Sequence, residues 1–415
     1  MQIFPESVRK LWNEWELRSM VVLSLFLQIV LIIFSNRRKY TVTTWIRMLI
    51  WSAYLSADWV ATVSLGTLTN SQGDSEGKLL DPNYTLMAFW APFLLLHLGG
   101  PDTITAYALE DNELWLRHLL GLVVQVGVAF YVFLRSWAGT PLTFLSIPMF
   151  VAGIIKYGER TWVLSSASKN HFRDSLLPVP DPGPDYIEYA NVLSVQDKIE
   201  GRRRSTAGDD ITVQGGCIDK AYFLFENQFK RLYADLILSL DDRKTSEHLI
   251  KKLSSSKDAF EVVEMELSFM YDVLYTKATV VYSLLGILLR ITSFLSTIST
   301  LAAFCFFIDR HEFSNIDINI TYLLLFGAIF LEVYALIKLI LSDWSIVWLN
   351  SKKNPLACSI YRAITFFRSV LTSDKRWSRR IAQNNLIDSC LEDKTKFNQV
   401  PRFFDMNKLL ESTGT

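Results

Sequence analysis

Apolar residues fill seven long stretches of the chain, at 19–35, 45–68, 84–98, 119–134, 140–155, 280–308 and 320–341, with polar segments between them. A helix needs roughly 20 mostly apolar residues, at about 1.5 Å each, to cross the hydrocarbon layer of a bilayer. Five stretches suit that length, and the third and fifth fall short of it. The pattern predicts an all-α fold, a polytopic membrane helix bundle of about seven spans. One long polar insertion, residues 156–279, separates the fifth stretch from the sixth. The chain then divides into an N-terminal membrane bundle (1–155), the insertion (156–279), two C-terminal spans (280–344) and a tail (345–415).

Within the insertion, the proline-rich run 178–184 and the run Gly201-Arg-Arg-Arg-Ser-Thr-Ala-Gly208 read as linker. Arg202, Arg203 and Arg204 beside Ser205 could form a phosphorylation-controlled electrostatic switch at an anionic leaflet, or simply a solvated linker. Two amphipathic helices follow. Ile218, Tyr222, Phe225, Phe229, Leu232, Leu236 and Leu240 recur at spacings of three and four, as do Phe260, Val263, Leu267, Met270 and Leu274. These faces either pack on the protein itself or offer a cytosolic partner a surface over residues 218–275. In the tail, Ile360, Ile364, Phe367 and Leu371 form one stripe among cations, the pattern of an interfacial helix on anionic lipid over residues 345–381.

Composition agrees with a membrane body: 50% of residues are hydrophobic and 13% aromatic. Zero formal net charge says nothing about an acidic or basic partner, no nucleic-acid partner is expected, and four scattered cysteines suggest neither a disulfide framework nor a zinc site. The first stretch lacks a small-residue cleavage site and reads as a retained anchor. Charge gives it a direction. Arg37, Arg38, Lys39 and Arg47 crowd the first loop, whereas 69–83 holds Lys78 among Asp74, Glu76 and Asp81. The positive-inside rule then puts the N-terminus outside and the insertion and C-terminus in the cytosol, in a plasma membrane or endomembrane. Arg9, Lys10 and Arg18 compete with that assignment. The sequons at Asn83 and Asn319 both fall on the outer side and are candidate glycosylation sites.

Three charges fall inside apolar stretches: Asp58, Arg290 and Glu332. Lone charges there are costly and turn inward for partners, so these residues read as an ion-pair cluster or as a route for ions or protons. The run from His97 to His118 begins as a span ends. Gly99 and Gly100 stop the helix, Pro101 and Asp102 suit the start of another, and Thr105, Glu110 and Asp111 add oxygen ligands. Such a helix break is a candidate site for an ion or substrate, or an interfacial turn whose acids are solvated. No metal-ligand histidine spacing, nucleophile elbow or phosphate-binding glycine loop occurs, so neither catalytic residue nor cofactor is expected.

The run Leu96-His-Leu-Gly-Gly-Pro-Asp-Thr-Ile-Thr-Ala-Tyr107, with 109–118, 54–58, 156–162, 266–278, 320–332 and Ser342-Asp-Trp344, resembles the plant multi-pass membrane proteins known as domain of unknown function 4220. The resemblance implies a plant source, an integral-membrane location and no established activity. It lends weight to Asp58, Asp102, Glu110 and Glu332 without choosing a mechanism. The sequence alone therefore supports a non-enzymatic membrane scaffold or signalling component, with a transporter or channel as the alternative.

Overall fold

The structure, a computed structural model, describes residues 6–70 except 42, 82–177 except 138–139, and 216–378 except 237, 239, 254, 352–354 and 372–375. The proline-rich run, the Arg202–Arg204 switch and the end of the tail lie outside the described residues. All regular elements among the described residues are helical. The first half comprises α1 (Glu6–Phe34), closed by a 3-10 turn at Ser35–Lys39, then α2 (Thr44–Asn70), α3 (Pro82–Ala88), α4 (Ala91–Leu98), α5 (Leu109–Glu113), α6 (Trp115–Arg135), α7 (Pro141–Ala167) and α8 (Lys169–Leu176). The second comprises α9 (Cys217–Leu224), a π turn at Phe225–Phe229, α10 (Lys230–Tyr233), α11 (Leu240–Lys251), α12 (Ser256–Tyr275), α13 (Ala278–Val281), α14 (Leu284–Phe307), α15 (Asn315–Ile340), α16 (Asp343–Ser351) and α17 (Pro355–Leu371).

Six of these helices, α1, α2, α6, α7, α14 and α15, are long and apolar enough to cross a membrane. The third predicted span differs. It is two short helices, α3 and α4, and all of α4 is buried. Pro92, at the second position of α4, has no N–H to donate to the turn before it, so the helix breaks at Phe89-Trp90. The broken pair still traverses the bundle. At one end Asn83 Oδ1 accepts from the Ser314 N–H (2.7 Å), beside the start of α15; at the other, Gln28 Nε2 donates to the His97 carbonyl (2.9 Å). Phe89, Trp90, Phe93 and Leu94 fill the middle, and Trp90 Nε1 donates to Thr321 Oγ1 (2.9 Å). Helices of the protein cover all of α4 and most of α3, which explains how the segment can be short.

Tracing these contacts gives the bundle two faces. The N-terminal face carries the bidentate pair of Arg18 with Asp317 (2.7 and 2.9 Å) and the Asn83–Ser314 contact. On the opposite face Ser35 meets Thr103 (2.7 Å), and Lys39 ion-pairs with Asp272 on the insertion. There α8 to α13 build a cap with its own core. Phe225 and Phe269 lie with ring centroids 5.4 Å apart, and Trp344 at the start of α16 stacks edge-on to Phe269 at 5.1 Å. Phe225 is fully buried and Phe229 packs on the same cluster. The Ile218, Tyr222, Phe225 and Phe229 part of the first amphipathic stripe is therefore packed within the protein, whereas Leu232 on the same stripe is exposed.

Two other features depart from the sequence pattern. The stripe from Ile218 to Leu240 is not one helix: α10 stops at Tyr233, and Asp235 takes a left-handed φ of 57°. On α12 the inward side is Val262, Met265, Phe269 and Val273, joined by Met270 and Leu274 of the predicted stripe, whereas its Phe260 and Val263 are 66% and 48% exposed. That helix is apolar on more than one side, so spacing alone does not choose the face. In the tail, Ile364 packs inward with Ile346 and Leu349, and Ile360 and Phe367 remain exposed.

Candidate functional site

The glycine-proline-aspartate turn sits where the bundle meets the cap. Gly99 follows α4 against α7, and Gly100 takes φ +65°, a conformation that glycine adopts without a Cβ penalty. The next residues are pinned to the end of α12. The Asp102 carbonyl accepts the Lys277 N–H (3.1 Å), Thr105 N–H donates to Tyr275 O (2.8 Å), and Asn112 Nδ2 donates to Leu274 O (3.0 Å).

Around this turn lies a network of buried charges. Asp58 on α2 receives both guanidinium nitrogens of Arg160 (2.6 and 2.9 Å), and Arg160 also donates to the Leu98 carbonyl (2.9 Å). Lys156 lies 2.9 Å from Glu332 and 3.4 Å from Asp102, which ion-pairs with Arg290. Ser293 donates to Glu332 (3.4 Å). Lys277, at the junction of α12 and α13, donates to the Lys156 carbonyl (3.0 Å) and faces Glu159 at 3.5 Å. The network thus joins α2, α7, α14 and α15 to the cap.

Of the predicted intramembrane cluster, Arg290 and Glu332 enter this network directly, and Asp58 enters it only through Arg160. The fifth apolar stretch ends at Ile155 in the sequence pattern, short of Lys156, Glu159 and Arg160. The helix runs on to Ala167, because its charges are buried and paired instead of solvated. The signal was present in the chain: 156–162 is one of the runs that carries the family resemblance.

The predicted helix-break ligands do not converge. Asp102 points into the network, but Asp111 accepts the N–H groups of Tyr107 and Ala108 (2.8 and 3.0 Å), Glu110 is exposed, and Thr105 is buried against α12. No group of three or more His, Cys, Asp or Glu side chains among the described residues is placed to hold a metal. Both sequons lie towards the N-terminal face, Asn83 held by Ser314 with Thr85 buried, and Asn319 exposed on α15.

Two spaces adjoin the network. A cavity of about 30 Å³ is lined by Gln28, His97, Asp102, Lys156 and Glu332, room for a water molecule or two, and neither His97 Nε2 nor Glu332 Oε2 has a hydrogen-bond partner among the described residues. A larger cleft of about 530 Å³ opens beneath the ends of α1 and α15, between bundle and cap. Burial drives the Lys277 ammonium down to about 7, with Glu159 recovering part of the loss. Burial also opposes the Asp343 carboxylate, but Arg368 and Arg376 override it and hold that group below its usual range.

Comparison with known proteins yields one finding. Residues 51–390 match the family model described as "Domain of unknown function (DUF4220)". Neither a curated protein nor a solved structure matches the chain.

Proposed function

We infer that this chain, which belongs to the DUF4220 family, is a non-catalytic integral-membrane scaffold or signalling component. One observation carries this reading. The charges inside the bundle neutralise one another in a closed network around a cavity of only about 30 Å³, so they act as a clamp between bundle and cap, not as the lining of an open path. The cap face is the cytosolic one. Arg37, Arg38, Lys39 and Arg47 lie there, and the competing Arg18 is spent on Asp317. The N-terminus is then outside and the C-terminus cytosolic. With Phe225 and Phe229 occupied, the exposed Phe260 and Val263 on α12, which share one helix, are apolar side chains open to a partner.

Proximity labelling with the full chain in its own membranes tests this. A neighbour set lost from a Phe260→Glu/Val263→Glu chain supports it; an unchanged set, together with solute flux through purified protein in liposomes, overturns it. A conduit is the second reading, favoured by His97 Nε2 and Glu332 Oε2 bordering one cavity without partners. It requires proton-linked flux in liposomes that Glu332→Gln abolishes.

A further inference from the structure

The larger cleft has an unbalanced charge. Six cations line it: Arg37, Lys39, Lys277, Lys338, Arg368 and Arg376. Four are tied to acids, Lys39 to Asp272, Lys277 to Glu159, and Arg368 and Arg376 to Asp343. Arg37 and Lys338 have no carboxylate partner among the described residues. Their charges act on each other, and each rests over a ring of its own helix end, Arg37 on Phe34 (5.2 Å) and Lys338 on Tyr334 (5.6 Å). Two like charges that line one cleft and act on each other are unfavourable unless an anion joins them.

The position identifies the kind of anion. Arg37 lies in the turn that ends α1 and Lys338 in the last turn of α15, the level at which both helices leave the apolar layer. Ile33, Leu339 and Leu341 line the same cleft, and Ile337 and Ile340 beside it are 47% and 49% exposed. A cationic pair above an aliphatic wall suits a ligand with a phosphate at one end and an acyl chain at the other. We propose that this cleft binds the phosphate-bearing headgroup of an anionic phospholipid, its phosphate bridging Arg37 and Lys338 and its chains lying along the ends of α1 and α15. The site goes beyond the scaffold reading and stands equally if the bundle is a conduit. It is also separate from the α17 stripe, whose exposed Ile360 and Phe367 could contact any lipid surface.

The test is thermal unfolding of the purified full chain in neutral detergent with four additives: short-chain phosphatidylinositol 4-phosphate, short-chain phosphatidylcholine, soluble inositol phosphate and inorganic phosphate. The phosphoinositide should raise the melting temperature in a saturable way, and the other three should not. Arg37→Gln and Lys338→Gln should each weaken its apparent affinity about fivefold, the contribution of one basic residue near an anionic headgroup, and Arg37→Lys should restore most of the loss. Both side chains are at least partly exposed, so these variants keep the fold, which an unchanged melting temperature without additive verifies. Equal stabilisation by inositol phosphate or inorganic phosphate overturns the lipid assignment. No stabilisation by any phosphate, or a shift that survives both glutamine substitutions, overturns the site itself.

Discussion

Gly99 lies directly against the backbone of Lys156: a Cβ at Gly99 would stand 2.6 Å from the Lys156 carbonyl carbon and 2.8 Å from the Tyr157 nitrogen. Backbone in the middle of a packed helix cannot move aside as a side-chain tip can. Gly99→Ala should therefore destabilise the protein by about 1–3 kcal/mol, the range for overpacking. Gly100→Ala meets no such clash, since its nearest neighbours are 3.8 Å or more away, but it must hold φ +65° and should lose about 1–2 kcal/mol. Thermal unfolding in detergent separates the two. Gly100→Asn should recover part of the second loss, and Gly99→Asn none of the first.

The buried pair of Lys156 and Glu332 should show the asymmetry of charges taken out of water. Removing one partner strips the other of its nearest counter-charge at low exposure, so Lys156→Met or Glu332→Leu alone should cost up to about 3–5 kcal/mol. The double variant should be far less damaged than the sum of the two. A double-mutant cycle on unfolding free energy measures the difference. Additive losses would mean that Arg290, Asp102 and Ser293 rescue whichever charge remains.

Much of this fold was legible in the chain because apolar length and composition decide which helices are long enough to cross a bilayer, and those are local properties. What escaped was whatever depends on a distant partner. Lys156 and Arg160 read as the polar start of the insertion, yet Glu332 and Asp58 lie far away in sequence and make both residues interior. The run 84–98 reads as a span, and only its neighbours reveal that it is a broken helix pair covered almost throughout by the protein. Phe225 and Phe229 were visible as an apolar face, but nothing local said that Phe269 and Trp344 would cover it. Asp102 turns into the charge network; its companions Glu110 and Asp111 share the sequence neighbourhood without sharing its direction.

Lys277 makes the joint between cap and bundle sensitive to pH. Its ammonium is fully buried, and the charges facing it are Glu159, Lys156 and Arg160 on α7 and Glu332 on α15. Burial lowers its value from 10.5 to about 7. Between those limits the unfolded chain keeps a proton that the folded chain has released, so stability rises as pH increases through that window. Below about 7 both states hold the proton and the full cost of burying the charge applies. Melting temperature should therefore climb from neutral pH towards pH 10, and Lys277→Met should flatten that climb while raising stability at neutral pH. A wild-type profile that falls over the same interval would show that Glu159 dominates and keeps the lysine charged.

The two sequons offer a test of sidedness in which structure and sequence diverge. Both sit towards the N-terminal face, which the proposed orientation puts outside the cytosol, but Asn83 spends its side-chain oxygen on the Ser314 N–H and its Thr85 is buried. Asn319 is exposed, yet it belongs to the second turn of α15, within the membrane-spanning length. Oligosaccharide transfer needs an accessible, extended acceptor some distance from the bilayer, so neither site should be modified even though both face the competent compartment. A sequon introduced into the 71–80 segment, for example by Gln72→Asn with Asp74→Thr, should be glycosylated, whereas one introduced on α11 by the single change Arg243→Asn, at an exposed position two residues before Thr245, should not. Endoglycosidase-sensitive gel shifts report both. Modification at the cap position with none at 71–80 would reverse the orientation and would place the Arg37–Lys338 cleft on the side poor in anionic lipid.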